Sequence, residues 1–261
     1  MRLKLHISPC PNDTFMFDGW VNGRLEVPTP AVDCSYYDIE ELNDRLLRGE
    51  ADVSKCSCAI LPQILDRYTL LDAGAALGRG NGPLLVRRKG ERGAIRRVAV
   101  PGLHTTACAL MRRLFPEVES LTPLLFSEIA EAVERGDFDA GVLIHEGRFV
   151  YARRNLELVA DLGVRWEEVT GLPLPLGAIV MRRSLGEEQS KQVEKTLRAS
   201  VAYGFAHPQT SRPYVKAHAR ELEDEVIDRH IALFVNDFSL TLGEEGRRAL
   251  AELCALAPEQ F

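Results

Sequence analysis

A histidine and a carboxylate follow an apolar run in the segment GVLIHEGRF, where His145 and Glu146 come directly after Ile144. A neutral imidazole titrates near physiological pH, so it takes a proton from a ligand when it faces a cleft. A lone histidine is more often structural than catalytic, and this chain has six in all. The position of His145 at the end of a predicted strand makes it a candidate general base, with a structural histidine as the alternative.

Two segments in the first half of the chain place polar side chains after predicted strands. SPCPNDTF follows the strand LKLHIS and contains Asn12 and Asp13, which either contact a ligand or cap the helix FMFDGWVNG. Lys55-Cys56-Ser57 ends a second apolar strand, where a lysine is normally paired with an acid or extends to solvent. Open α/β sheets bind ligands at the carboxyl ends of their strands, so both segments are candidate ligand contacts.

A third segment, PGLHTT, places Thr105 and Thr106 at the start of the predicted helix TTACALMRRLF. The free N–H groups and the dipole of a helix start favour a carboxylate or phosphate, and the alternative is a simple helix cap. The sequence has no Walker loop, dinucleotide-binding glycine motif, serine elbow, or HExxH or CxxC metal motif. Cys56 and Cys58 have strand spacing, but without a nearby histidine or second cysteine pair they are interpreted as core residues, not metal ligands.

The elements that position these residues alternate between helix and strand, which predicts an α/β fold. LLRGEADVSKCS and AVERGDFDAGVLIH share one order, in which Arg48-Gly49 and Arg135-Gly136 end a helix, and Asp52 and Asp139 precede an apolar strand. Glycine ends helices because it adopts the left-handed conformation without strain. The repeat predicts two similar α/β lobes.

A second pair of matching segments predicts where the chain passes between the lobes. GPLLVRRKG and GAIVMRRSL are both interpreted as strands, lying side by side as the hinge. The first lobe is then discontinuous, with residues 1–93 and 177–261, and residues 94–176 form an inserted second lobe. The helical tail after Ser184 is predicted to pack on the first lobe, and the cleft between lobes is the expected ligand site.

Composition limits the class of function. The chain has 261 residues, 46% of them hydrophobic, with a formal net charge of −6, which argues against a nucleic-acid partner. No apolar stretch approaches the ~18 residues of a membrane span, so no membrane partner is expected. The first residues lack the pattern of a secretory signal, and the six scattered cysteines are typical of reduced thiols. We therefore expect a cytoplasmic protein, and the sequence is silent on its oligomeric state.

Taken together, the motifs resemble a known family. SPCPNDTF, ALGRGNGPLLV, PGLHTTA, AGVLIHEGRF, TGLPLPLGAI and VNDFSLTLGEEG, which occur in this order between Ser8 and Gly246, are similar to the 1,4-dihydroxy-6-naphthoate synthases of the futalosine route to menaquinone. The resemblance implies a two-lobed fold like that of type II periplasmic binding proteins, with a central cleft. It also implies a lyase that converts cyclic dehypoxanthine futalosine to 1,4-dihydroxy-6-naphthoate, with release of a three-carbon sugar fragment, dihydroxyacetone.

The resemblance also assigns roles within the site. It implies that His145 is the general base and that the Lys55–Ser57 segment, Thr105 and Thr106 contact a small carboxylate substrate, without a metal or organic cofactor. Cys56 and Cys58 replace apolar or aromatic residues of the family pattern, which leaves only their backbone as a matched contact. Whether Asp13 or Glu146 assists His145 stays open.

Three other classes share some of these features. A transporter's solute-binding protein has the same fold but is exported, whereas this sequence opens without an export signal. Chorismate dehydratase has the same fold, but SPCPNDTF matches the naphthoate synthases better. A ligand-sensing domain normally carries a helix-turn-helix module or a basic patch, neither of which is evident in the sequence.

Overall fold

The protein is described from a computed structural model, which describes residues 2–145, 147–219 and 223–258 and omits the side chains of residues 149 and 150. The apolar segments that alternate with helices along the chain form strands, and most residues of these strands are buried. The strands are β1 (Leu3–Ile7), β2 (Val32–Tyr36), β3 (Val53–Ser57), β4 (Tyr68–Leu70), β5 (Ala76–Gly78), β6 (Leu84–Arg88), β7 (Arg97–Val100), β8 (Ser120–Pro123), β9 (Ala140–Leu143), β10 (Leu156–Asp161) and β11 (Leu174–Arg182).

Helices follow most of these strands and cover the sheet faces. They are α1 (Pro11–Val21), α2 (Ile39–Leu47), α3 (Leu61–Ile64), α4 (Thr106–Leu114), α5 (Phe126–Arg135), α6 (Gly147–Val150), α7 (Leu162–Thr170), α8 (Glu187–Ala206), α9 (Pro208–His218), α10 (Asp224–Phe234), α11 (Asp237–Leu240) and α12 (Gly243–Cys254). Single 3₁₀ turns occur at Cys58–Ile60, Tyr151–Arg153 and Arg183–Leu185.

The strands form two separate sheets, which confirms the predicted α/β class. The first sheet has the order β2-β1-β3-β11-β4, with β5 also paired to β11, and the second has the order β10-β6-β9-β7-β8. In each sheet the central pairs β1–β3 and β7–β9 are parallel. Ligand-binding loops therefore gather at the carboxyl ends of β1, β3, β7 and β9.

The predicted repeat is present in both sheets. Gly49 and Gly136 both adopt the left-handed conformation, with φ of 71° and 84°. The Asp52 carboxylate accepts a hydrogen bond from the Lys4 N–H at 2.9 Å, and the Asp139 carboxylate accepts one from the Arg97 N–H at 2.8 Å. Each aspartate thus joins the start of its own strand to the parallel neighbour. The two sheets repeat one helix–glycine–aspartate–strand unit.

The predicted pairing of GPLLVRRKG with GAIVMRRSL is wrong. β6 lies in the second sheet between β9 and β10, whereas β11 lies in the first sheet beside β3. Both segments are buried strands, and sequence similarity alone does not determine which sheet takes each one. The domain boundaries themselves stay a prediction, and the position of β6 favours a crossing before Leu84 over one at residue 93.

The helical tail packs on the first sheet, as predicted. Val193, Leu197 and Val201 of α8 share one apolar cluster with Leu3 and Leu5 of β1. Pro208 begins α9 directly after α8 ends, because proline cannot continue a helix but suits its first turn. This packing fixes α1 between the sheet and the tail.

Helix α1 begins earlier than the sequence predicted. It starts at Pro11, so Asn12 and Asp13 lie in its first turn, and Cys10 is the N-cap residue without a side-chain cap bond. Nearly the whole helix is buried against α8, α9 and α10. The expected capping role of Asn12 or Asp13 is therefore wrong, and both side chains are directed into the interior instead.

Candidate functional site

Two cavities lie at the carboxyl ends of the strands, between the two sheets. The inner cavity has about 660 Å³ of empty space and is lined by both sheets and by α10; its polar residues are Asn12, Lys55, Ser57, Thr105, Thr106, His145, Arg148 and His230. The outer cavity has about 850 Å³ and includes Cys10, Tyr36, Tyr37, Asp38, Glu41 and Phe126 in its wall. His145 and His230 line both cavities.

Six of the eight predicted site residues line the inner cavity: Asn12, Lys55, Ser57, Thr105, Thr106 and His145. The other two lie behind it. Asp13 is fully buried beneath Lys55, and Cys56 is fully buried in an apolar cluster on the opposite face of β3. Side chains alternate along a strand, so Cys56 points away when Lys55 and Ser57 face the cavity. Contact between the Cys56 backbone and a ligand stays a prediction.

Lys55 and Asp13 form a buried ion pair at the floor of the inner cavity. The Lys55 Nζ lies 2.9 Å from the Asp13 Oδ1, and both side chains are almost inaccessible to solvent. Asp13 also accepts hydrogen bonds from the Ser8 N–H and hydroxyl and from the Asn12 amide, at 3.2, 2.7 and 2.8 Å. Four donors thus compensate the buried carboxylate, and Lys55 presents a cation that is already partly neutralised.

Ser57 is held by a residue that the sequence analysis missed. The Asn43 side chain accepts a hydrogen bond from the Ser57 N–H at 2.9 Å and donates one to the Ser57 Oγ at 3.0 Å. The Ser57 hydroxyl then keeps its own hydrogen for a ligand. Asn43 is fully buried beside Leu42 and Leu46 on the apolar face of α2. Its place between two leucines at helical spacing is the sequence feature that indicates a buried polar residue, and such a residue needs hydrogen-bond partners.

Thr105 and Thr106 form the start of α4, but their hydroxyl hydrogens are already donated. Thr105 is the N-cap residue, accepting from the Cys108 N–H and donating to the Gly102 carbonyl. Thr106 donates to the Leu176 carbonyl at 2.9 Å. An anion at this place is therefore served by the first-turn amides of Thr106 and Ala107 and by the helix dipole, with the hydroxyls fixing the backbone.

A second cation, Arg148, lines the inner cavity and was not anticipated. Its guanidinium donates to the Gly82 carbonyl at 2.8 Å and pairs with Asp161 at 3.2 Å. Burial lowers the pKa of Arg148 and raises the pKa of Asp161, and in both cases desolvation outweighs their mutual attraction. Glycine at position 82 is required because a Cβ there would lie 2.4 Å from the Gly163 nitrogen. Gly82 and Pro83 of the glycine-rich loop GRGNGP thus form part of the cavity edge.

His145 ends the turn after β9 in the left-handed conformation, with φ of 52°. This conformation is uncommon for residues other than glycine, and it directs the side chain toward the cavities. The Cys10 Sγ lies 3.3 Å from its Nδ1, and the Phe126 ring packs edge-on at 5.0 Å. The ring is thus held from both lobes. Glu146, the second residue of the opening motif, lies outside the described residues.

His230 is a second histidine of the site, and the sequence analysis did not single it out. It is 2% exposed, lines both cavities, and lies with its ring centroid 6.1 Å from that of His145. Its position on α10, four residues after Val226 and four before Phe234, places it on the buried face of that helix. The apolar spacing was therefore the signal, but only the fold brings α10 to the cleft.

Among the described residues, one group has the spacing to bind a metal ion, formed by Glu40, Asp44 and His104. The Glu40 carboxylate accepts from the His104 backbone N–H at 3.1 Å, and its Oε1 lies 3.1 Å from the His104 Nδ1. His104 is thus part of a contact between α2 and the loop before α4. Cys56 and Cys58 are core residues, and burial raises the pKa of Cys56 to about 12.

Within the residues that the structure describes, no helix is both long enough and apolar enough to cross a membrane.

The chain is similar in sequence and in fold to known proteins. A family model described as menaquinone biosynthesis matches residues 3–259. The chain is 49% identical to 1,4-dihydroxy-6-naphthoate synthase of Thermus thermophilus over 257 residues, covering 98% of this chain and 93% of that protein. A crystal structure of a protein from Archaeoglobus fulgidus has a TM-score of 0.90 at 33% identity, over 99% of this chain and 97% of the other.

The fold itself extends to more distant proteins. A Candida albicans protein with the generic periplasmic binding protein fold has a TM-score of 0.69 at 12% identity, over 98% of this chain and 91% of the other. At this identity the likeness concerns the fold alone. It confirms the predicted architecture of two α/β lobes around a cleft.

Proposed function

Since the chain belongs to the menaquinone biosynthesis family, we propose that it is the lyase that forms 1,4-dihydroxy-6-naphthoate from cyclic dehypoxanthine futalosine, releasing a three-carbon sugar fragment. The observation that carries this proposal is the pair of adjoining cavities with two histidines in their shared wall. A substrate with an aromatic carboxylate at one end and a polyhydroxy part at the other would span the two adjoining cavities, with its carboxylate among the donors of the inner one.

We place the aromatic carboxylate in the inner cavity, at the start of α4. The first-turn amides of Thr106 and Ala107 and the dipole of this nine-residue helix favour a negative charge there. The Ser57 hydroxyl, held by Asn43, supplies a further donor from the first sheet. Lys55 adds positive potential from a position that its ion pair with Asp13 fixes. Donors from both sheets would then hold one carboxylate, which favours closure on the ligand.

We assign the proton transfer to His145. It lies in the wall shared by the two cavities, where the aromatic and polyhydroxy parts of the ligand would meet. In its neutral form the imidazole removes a carbon-bound proton, and elimination then opens the sugar ring. The carbon–carbon bond to the three-carbon fragment then breaks: a hydroxyl of the fragment loses its proton and becomes the carbonyl of dihydroxyacetone, and the electron pair of the broken bond passes to the ring carbonyl system. The fragment leaves toward the outer cavity, and the new aromatic ring supplies the driving force. Every step moves protons and electron pairs within the substrate, so none requires a redox cofactor.

The decisive experiment is an incubation of chelator-treated protein with cyclic dehypoxanthine futalosine, followed by chromatography and mass analysis. We expect 1,4-dihydroxy-6-naphthoate and dihydroxyacetone in equal amounts. His145→Ala should lower kcat by about 10²–10⁴-fold, the usual contribution of a positioned base. His207→Ala, which replaces an exposed histidine between α8 and α9, is the matched control and should leave kcat unchanged. Unaltered turnover in His145→Ala would remove this residue from the mechanism.

The same incubation separates the competing functions. Tight binding of the substrate without conversion would support a binding protein, as the shared fold allows. Absence of both binding and conversion would direct the test to chorismate and its relatives. A cytoplasmic location remains part of the proposal, and the six free cysteines support it because such thiols are typical of reducing compartments.

A further inference from the structure

His230 is joined to the buried ion pair by a chain of hydrogen bonds. Its Nε2 lies 3.0 Å from the Asn12 Oδ1, and the Asn12 Nδ2 donates to the Asp13 Oδ1 at 2.8 Å. The same Asp13 oxygen accepts from the Lys55 Nζ at 2.9 Å. All four side chains are buried, and His230 comes from a helix that is remote from the others in sequence. These hydrogen bonds therefore connect α10, in the helical tail, to the Lys55–Asp13 ion pair at the floor of the inner cavity.

These contacts determine which ring nitrogen of His230 bears the proton. A carboxylate paired with a lysine accepts hydrogen bonds and has none to donate, so the Asn12 NH₂ group must face Asp13. The amide oxygen of Asn12 then faces His230, and an oxygen of this kind requires an N–H donor. His230 is therefore the Nε2–H tautomer, and when the ring is neutral its Nδ1 is an acceptor.

The surroundings keep this ring neutral. Burial lowers the pKa of His230 well below 6.5, and the neighbouring positive or protonatable groups His145, Arg148 and Lys55 act in the same direction. The Asp13 carboxylate is separated from the ring by the Asn12 amide and is already bonded to Lys55. His145 and His230 thus lie near each other with different roles: His145 transfers the proton in the proposed reaction, and His230 is held uncharged.

We propose that His230 is a specificity-determining residue, whose Nδ1 accepts a hydrogen bond from a hydroxyl of the ligand where the two cavities meet. This inference rests on the proposed function for the identity of the ligand, a polyhydroxy compound with an aromatic carboxylate. A neutral acceptor selects a hydroxyl over a carboxylate or a carbonyl oxygen, since neither of these donates a hydrogen bond. Its role is to orient the polyhydroxy part beside His145, which carries out the proton transfer.

Three substitutions at His230 separate the roles of its two nitrogens. His230→Phe keeps an aromatic ring but removes both, and we expect kcat/KM to fall about 10- to 100-fold, as for a ligand hydroxyl left unpaired. His230→Asn offers an acceptor near the Nδ1 position and should recover about fivefold or more of that loss. His230→Gln reaches toward Asn12 but lacks the Nδ1 acceptor, and should resemble His230→Phe. Arg229→Gln, at an exposed position on the same helix, is the control.

The tautomer is measured on the wild-type protein by NMR with ¹⁵N-labelled histidine. We expect a neutral Nε2–H signal for His230 at pH 6.5 and above, assigned by its absence in His230→Gln, with Asn12→Leu abolishing the tautomer preference. A charged ring at pH 7 or an Nδ1–H tautomer would overturn the inference. So would kcat/KM within threefold of wild type in His230→Phe, or His230→Asn no better than His230→Phe while both bind 1,4-dihydroxy-6-naphthoate as wild type does.

Failure of the proposed function gives a different result. A wild-type protein that does not convert cyclic dehypoxanthine futalosine refutes the activity, but substrate binding to the His230 variants then still tests the hydrogen bond. A weaker affinity in His230→Phe with partial recovery in His230→Asn supports the inference under that outcome, and equal affinities refute it. Thermal melting of each variant shows that it is folded before either comparison is made.

Discussion

Lys55→Met tests whether the floor of the inner cavity depends on a buried ion pair. Methionine keeps most of the aliphatic stem and removes the ammonium group, so the Asp13 carboxylate loses the partner 2.9 Å away. Asp13 is fully buried and cannot be solvated in place. The substitution therefore leaves a buried carboxylate without its counter-ion. The free energy lost in this way is larger than that of one favourable contact.

The magnitude follows from the remaining partners of Asp13. Removing one member of a buried pair costs about 3–5 kcal/mol in the free energy of unfolding. Three donors remain, the Ser8 N–H and hydroxyl and the Asn12 amide, so we expect the lower end, about 3 kcal/mol. For a chain of this size that value corresponds to a decrease in Tm of about 6–12 °C. The double variant Asp13→Asn with Lys55→Met should be more stable than the sum of the single effects by about 1–3 kcal/mol.

Urea unfolding followed by circular dichroism measures these free energies, with the slope of each transition checked for constancy. Lys191→Met is the matched control, because it removes a lysine 2.6 Å from Glu187 where both side chains are mostly exposed. It should not change stability measurably. If Lys55→Met lies within about 1 kcal/mol of wild type, or if the two single effects simply add, the reasoning from buried charge is refuted.

Three further predictions concern the walls of the cavities. Gly177→Ala places a Cβ 2.6 Å from the Lys55 Cε, so it should displace the lysine and lower kcat/KM, with the urea midpoint as the stability control. Gly82→Ala directs a Cβ against the backbone of Gly163, and urea unfolding should show a loss of about 3 kcal/mol or more. The lowered pKa of His230 means that below about pH 6.5 the unfolded chain binds a proton that the folded chain does not, so stability falls as pH decreases. His230→Gln should reduce this fall by up to about 1.4 kcal/mol per pH unit between pH 7 and 5, and an unchanged pH dependence of unfolding would contradict it.

Local sequence signals predicted most of the elements and much of the site. The Arg-Gly-acid repeat predicted two similar α/β lobes, because glycine ends a helix and an apolar strand follows. The structure adds that the aspartate of each unit bonds to the neighbouring parallel strand. Strand ends and one helix start pointed to Lys55, Ser57 and His145, since these positions meet at one edge of each sheet. Such signals act over a few residues and are read directly from spacing.

Other features depended on which segments meet in space. Lys55 pairs with Asp13 because α1 begins at Pro11 and turns the Asp13 side chain inward, and the sequence did not indicate this helix start. The sheet that takes β6 was decided by packing, because two buried apolar strands look alike in sequence.

The sequence by itself determined the two-lobed α/β class, the candidate base and the helix start that suits an anion. The tertiary structure alone decided that His230, 85 positions after His145, shares its cavity and is held by Asn12. The physical reason is that periodicity reports which side of a helix is buried, whereas the neighbours of a buried polar group depend on contacts between distant segments.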